Sequence, residues 1–151
     1  MIQVLRQGRS WVLPLWRAEV EACAAAMLEA AGMPGVGVEL LLAGDSELAE
    51  LNQRHLGLCG PTNVLSFVDA EGEENEAGGE DENEGEVESL GLAAVSVEAV
   101  QRESMLFGQD PLDHLARLLA HGLLHLMGHE HGEFMEDETE RLLEAGRPFL
   151  T

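Results

Sequence analysis

The chain contains no lysine and no tyrosine, only two cysteines, and just 4% aromatic residues in 151 positions. All of its positive charge rests on eight arginines against 29 acids, for a formal net charge of −21. That balance excludes a broad basic face of the kind that neutralises nucleic-acid phosphates over a large surface. Two cysteines allow at most one bridge, so a disulfide framework is excluded as the source of stability. Cys23 falls on the apolar face of an expected helix, which predicts a buried free thiol. No apolar run approaches the roughly 20 residues that cross a bilayer. The stretch from Trp11 to Met33 is interrupted by Arg17, Glu19 and Glu21 and lacks a signal-peptide layout. A cytoplasmic protein with no membrane partner is the expectation.

The acidity is concentrated. Asp69 to Glu88 holds eleven acids, four glycines and two asparagines with no basic residue. Such a segment buries too little apolar surface to offset its ordering entropy, which predicts a disordered loop. It reads either as a solvated surface insertion, or as a nucleic-acid mimic or docking tail for a basic protein partner. The remaining residues carry 18 acids against the eight arginines. At this length, one domain spanning 1–151 around a single core is expected.

Along the chain, Met1 to Arg6 and Val36 to Ala43 alternate as strands, and Leu15 to Ala31 carries apolar residues at helical spacing. Asp45 or Ser46 is a natural cap for a short helix through Leu48, Leu51 and Asn52. Thr62 to Val68 and Leu90 to Val97 have strand character, and Glu98 to Phe107 reads as a helix closed by Gly108. Asp110-Pro111 starts a helix running to about Met127, and Glu136 to Ala145 forms the last one. Strands and helices mix without strict alternation, so the fold class is α+β.

The chemistry sits in His121-Gly122-Leu123-Leu124-His125-Leu126-Met127-Gly128-His129-Glu130-His131. Histidines four apart on a helix project from one face. Gly128 can adopt the left-handed conformation that ends a helix, so the chain can fold back and bring His131 to His121 and His125. Three imidazoles with an open fourth position suit one catalytic Zn²⁺ ion. A helix continuing through Gly128 would instead align His121, His125 and His129. The spacing is that of the extended zincin pattern, but metalloproteases of that type carry a glutamate after the first histidine, and here Gly122 stands there. The ligand geometry survives while the protease's general base is missing, which weakens a peptidase reading.

Two blocks, Leu51-Asn52 with Pro61-Thr62-Asn63-Val64-Leu65-Ser66-Phe67 and the histidine motif, resemble the YbeY family of bacterial endoribonucleases. The resemblance spans about Leu51 to Arg141 less the acidic run, and more loosely the preceding helix and strand. It implies a zincin-like fold, a small mixed sheet packed on helices with a metal site at the end of a long helix. It also implies metal-dependent cleavage of single-stranded RNA in maturation of ribosomal RNA, at the small-subunit 3′ end, and in ribosome quality control, with His121, His125 and His131 as zinc ligands. RNA and the small ribosomal subunit are then the expected partners, and DNA is not.

The family's usual loop arginine falls on Leu56 here, which leaves Arg54 and Arg117 as candidate phosphate contacts. Glu130, beside the third ligand, reads either as a proton shuttle or imidazole partner or as a solvated acid. His114, on the same helix face as His121, is expected at the helix surface, with a fourth ligand as the alternative, and His55 is expected in a loop. The competing readings are a zincin-like hydrolase of a peptide or ester, and a ribosome-assembly binding protein that keeps the metal without turnover.

Overall fold

The structure, a computed structural model, describes residues 2–6, 17–57, 62–68, 89–130 and 132–150. Its elements run β1 (Ile2–Arg6), α1 (Arg17–Ala30), β2 (Gly37–Ala43), α2 (Asp45–Leu56), β3 (Val64–Val68), β4 (Ser89–Ser96), α3 (Val97–Phe107), α4 (Pro111–Leu126) and α5 (Glu133–Gly146). A 3₁₀ turn over Arg147–Leu150 follows. The four strands form one mixed sheet in the order β1-β2-β4-β3. β1, β2 and β4 are parallel, and β3 closes one edge antiparallel to β4, with Val64 opposite Val95 and Ser66 opposite Ala93. The α+β expectation holds.

Strand alternation assigns the two faces of this sheet. Val38, Leu40 and Leu42 of β2 and Ala93 and Val95 of β4 face the main core, where α1, α4 and α5 pack. Leu41, Ala43, Leu65, Phe67 and Ala94 face the opposite way, against Leu48 and Leu51 of α2. The sheet is therefore sandwiched, with α2 on one side and α1, α4 and α5 on the other. Cys23 is fully buried among α1's core residues, and burial pushes its thiol up to about 12, so it is a packing residue and not a nucleophile.

Of all the helices, α4 is the most enclosed. Leu115, Leu119, Leu123 and Leu124 are wholly buried around it, each burial contributing about 1.5–3 kcal/mol. Such a helix holds whatever its carboxyl end carries in a fixed place. Asp110 caps its start by accepting from the N–H groups of Leu112 and Asp113, with Pro111 at the first helical position. Gly146 lets α5 come close to α1, since a Cβ there would lie 2.6 Å from Met27 Cε and 2.8 Å from Cys23 Sγ.

Local starts differ from the sequence expectation at three helices. α2 is capped by Gly44, whose N–H donates to Glu47 Oε2 at 3.1 Å. Asp45 is thereby released to accept from Ser96 Oγ at 2.7 Å and from the Arg102 guanidinium at 2.9 Å. α3 begins directly after β4, with Ser96 Oγ accepting from Ala99 N–H at 3.1 Å. α5 starts at Glu133 and not at Glu136, because Glu133 and Glu136 both sit in its first turn, where acids favour the helix dipole. Residues 69–88, expected as a disordered loop, lie outside the described residues, as do Cys59 and His131.

Candidate active site

The carboxyl end of α4 is a reversal built on Gly128. With Met127 as the last near-helical residue, the Gly128 N–H donates to His125 O and the His129 N–H to Leu124 O, both at 3.0 Å. That pair of bonds is a Schellman motif, which needs a left-handed residue, and Gly128 has φ of +90°. The helix therefore stops, and a row of His121, His125 and His129 along one continuous helix does not form. The His129 ring instead packs on Phe134, centroids 5.4 Å apart.

His121 and His125 do converge. Their Nε2 atoms are 3.0 Å apart and their ring planes cross at 82°. His125 Nδ1 is 3.1 Å from the carbonyl oxygen of His129. A carbonyl only accepts, so Nδ1 carries the proton and the His125 Nε2 lone pair faces His121. The turn that ends α4 thus also fixes the tautomer of a histidine on α4, as metal-binding histidines commonly require. Two nitrogens each about 2.0–2.1 Å from a tetrahedral ion stand roughly 3.3 Å apart, so the observed spacing fits a shared cation. Among the described residues these two imidazoles form the whole donor set, and His131, the third expected ligand, lies outside them.

One wall of the site comes from β3. Thr62, Asn63, Val64, Leu65 and Ser66 line a cleft of about 440 Å³ with the two histidines. Helix and strand are joined there by Ser66 Oγ, which donates to Gly122 O at 2.9 Å. Gly122 itself is buried against the sheet: a Cβ would lie 3.2 Å from Val64 Cγ2 and 3.3 Å from Ala93 Cβ. The position that carries a glutamate in metalloproteases is here a packing contact with no room for a long side chain. Gly122 sets how closely α4 approaches β3.

The other wall comes from α5. A second cleft of about 580 Å³ runs from His121 past Arg117 to Glu136, Asp137 and Glu140. Arg117 lies one turn before His121 and is half-buried, in an ion pair with Glu140. Arg54, near the end of α2, bonds Glu50 at 2.6 Å and is exposed. Leu56 is exposed at the end of α2, and Glu130 is exposed after α4. The structure thus brings Arg117 into the same cleft as His121, while Arg54 and Glu130 do not line either cleft.

Two further histidines are not where the sequence suggested. His55 belongs to α2 and packs on Phe67, centroids 4.9 Å apart. His114, expected on the helix surface, is 6% exposed, with Nε2 3.0 Å from Glu103 Oε1. The sequence gives no role to Ser66, though it stands in the second motif block, and does not single out Glu103. Ser66 alternates with Leu65 and Phe67, which places it on the α4 side of the sheet. Glu103 stands three residues after buried Val100, hence on α3's inner face.

Fold and site together define an α+β protein with a histidine-centred cleft at the carboxyl end of a buried helix. A family model described as Endoribonuclease YbeY matches residues 8–148. An endoribonuclease YbeY of Oleidesulfovibrio alaskensis is 43% identical over 149 residues, covering 93% of this chain and 88% of that one. One of Nitratidesulfovibrio vulgaris is 38% identical over 142 residues, covering 90% and 88%. The chain belongs to the endoribonuclease YbeY family. Its fold is similar to the solution structure of TM1509 from Thermotoga maritima, with a TM-score of 0.63 at 21% identity over 98% of this chain and 90% of that one. Among the described residues no helix is long and apolar enough to cross a membrane.

Proposed function

We propose that this protein is a zinc-dependent endoribonuclease that cuts single-stranded RNA, with ribosomal RNA at the small-subunit 3′ end as its substrate. The observation that carries the proposal is the meeting of the His121 and His125 Nε2 atoms at 3.0 Å beside a polar, uncharged wall. His121, His125 and His131 would hold one ion. When bound, zinc supplies a lowered pKa for a water and polarisation of a phosphoryl oxygen.

The chain's own residues supply the rest. The His129 carbonyl keeps the His125 Nε2 lone pair turned inward, so no tautomer change is needed on loading. Ser66 and Gly122 hold β3 against α4, which fixes the width of the cleft beside the imidazoles. Among the described residues Thr62, Asn63 and Ser66 give that wall polar side chains without negative charge, so a phosphodiester meets no acid lining it. Arg117 is the candidate phosphate contact next to His121 once its guanidinium leaves Glu140; Arg54 and Glu130, which line neither cleft, would reach the site only if their segments moved. The acidity of the α5 wall disfavours a polyanion and directs the strand to the β3 wall.

The test is metal analysis of the purified protein together with cleavage assays of wild type and His125→Ala. We expect one zinc per chain, cleavage of unstructured RNA but not of a casein-like peptide, and at least about a hundredfold loss in the variant, since the several kcal/mol that a metal contributes to transition-state charge stabilisation disappear with it. Peptide cleavage without RNA cleavage would move the protein to another hydrolase class. A folded protein that binds zinc but cuts neither would leave an assembly role in its place.

A further inference from the structure

Asn63 is held by a side-chain arrangement that the chemistry above does not use. Its Nδ2 donates to both oxygens of Glu103, at 3.1 and 3.4 Å. Glu103 Oε1 also accepts from His114 Nε2 at 3.0 Å. These three residues come from the loop before β3, from α3 and from α4, so three separate segments converge on one carboxylate. The main chain of Asn63 is fixed as well, because its carbonyl accepts from Ser96 N–H at 2.9 Å.

The arrangement costs stability. The side chain of His114 is only 7% exposed, and its Nδ1 has no partner among the described residues. With Nε2 donating to the carboxylate, Nδ1 is left as a buried acceptor without a donor, an unfavourable state. An apolar residue at this core position would avoid that cost, so what His114 and Glu103 hold in place matters more than their contribution to packing.

What they hold is the orientation of the amide of a residue that lines the cleft. Asn63 lines the β3 wall beside His121 and His125, and Glu103 and His114 do not. A carboxylate accepts only, so the atom facing Glu103 is the amide nitrogen and the flip of the side chain is decided. Oδ1 makes no hydrogen bond among the described residues, and it is the polar side-chain atom left for a ligand. The site therefore presents a fixed acceptor that cannot rotate to become a donor. Phosphate oxygens offer no hydrogen to it. A ribose 2′-hydroxyl does, and it is the group that distinguishes RNA from DNA at a given position.

We propose that Asn63 Oδ1, oriented by Glu103 and His114, accepts a hydrogen bond from a ribose 2′-hydroxyl next to the cut phosphate and so makes the site selective for RNA over DNA. Asn63 is the specificity-determining residue, and Glu103 and His114 are positioning residues. The inference rests on the RNA-cleaving reading above.

The experiment compares the affinities of the zinc-loaded, full-length protein for single-stranded phosphorothioate RNA and DNA of one sequence. The sulfur substitution slows cutting and leaves the 2′-hydroxyls intact. One hydrogen bond corresponds to about a threefold to tenfold change in the RNA-to-DNA ratio. That fall is expected in Asn63→Ala and in Glu103→Leu, with DNA affinity unchanged. In Glu103→Gln the ratio should stay near wild type, because a single Oε1 can still accept from both Asn63 and His114. A merely structural Glu103 would lower both affinities and the melting temperature together and leave the ratio alone. An unchanged ratio in folded Asn63→Ala overturns the inference, and so does an equal loss in Glu103→Gln and Glu103→Leu. Should the wild type cut RNA while these ratios stay fixed, only the inference fails. A wild type that neither cuts nor binds RNA overturns the reading beneath it as well.

Discussion

The two walls that meet at His121 differ in chemistry more than in size. On the β3 side the wall is Thr62, Asn63 and Ser66, polar and uncharged, tied to α4 through the Gly122 carbonyl. On the α5 side it is Glu136, Asp137 and Glu140, with Arg117 paired to the last of these. A protein carrying a formal charge of −21 cannot attract RNA as a whole body. Among the described residues, the acids that line the clefts at this histidine pair stand on the α5 side and none lines the β3 side, which is therefore the side open to a polyanion. Local placement of charge, and not its total, decides whether such a chain can act on a polyanion.

This contrast can be broken most severely at Gly122. Replacing it with glutamate puts a long, charged side chain where a single Cβ already meets Val64 and Ala93 at 3.2 and 3.3 Å. We expect a loss of at least about 3 kcal/mol in denaturant unfolding, from overpacking together with an unpaired buried charge, and no gain of peptidase activity. A stable Gly122→Glu protein that cuts peptide would show that this position belongs to the chemistry and not to the packing of the wall.

Ser66→Ala is a smaller perturbation of the same wall. It removes the donor to Gly122 O and leaves the strand intact, so thermal unfolding should show a loss of about 1 kcal/mol. RNA cleavage should fall with it through kcat, since β3 no longer holds its distance from the imidazoles. Full activity with reduced stability would separate the tie from the site.

On the α5 wall the expected effect is smallest and opposite in sign. Glu140→Gln removes one acid and releases the half-buried Arg117 from a solvent-accessible pair whose loss hardly changes stability. RNA affinity at low salt should rise by up to about fivefold and the advantage should shrink as salt is added. A drop in affinity would mean that the Arg117–Glu140 pair positions the strand, and the division of labour between the walls would need to be redrawn.

How far these walls were legible in the sequence follows the range of the interactions that build them. The α4 start at Asp110-Pro111 and its end at Gly128 are made by residues within a few positions of one another, so the sequence shows them directly. The convergence of His121 and His125 follows from helical repeat alone. Gly122 could be read as a missing glutamate, but the reason for it lies in Val64 and Ala93, which only the sheet brings near. Glu103, 40 positions from Asn63 and 11 from His114, depends on the angle between α3 and α4, which no local pattern encodes. His114 shows the same limit: on the helix it shares the face of His121, yet α3 and Glu103 cover it.

The most direct measurement of the central claim is amide chemical-shift mapping by NMR as a cleavage-resistant single-stranded RNA is added to the zinc-loaded protein. Perturbations centred on Thr62 to Ser66 and on His121 to His125, with the amides of Glu136 to Glu140 undisturbed, are the result expected if RNA enters along β3. Perturbations centred on α5 with β3 unaffected would contradict it.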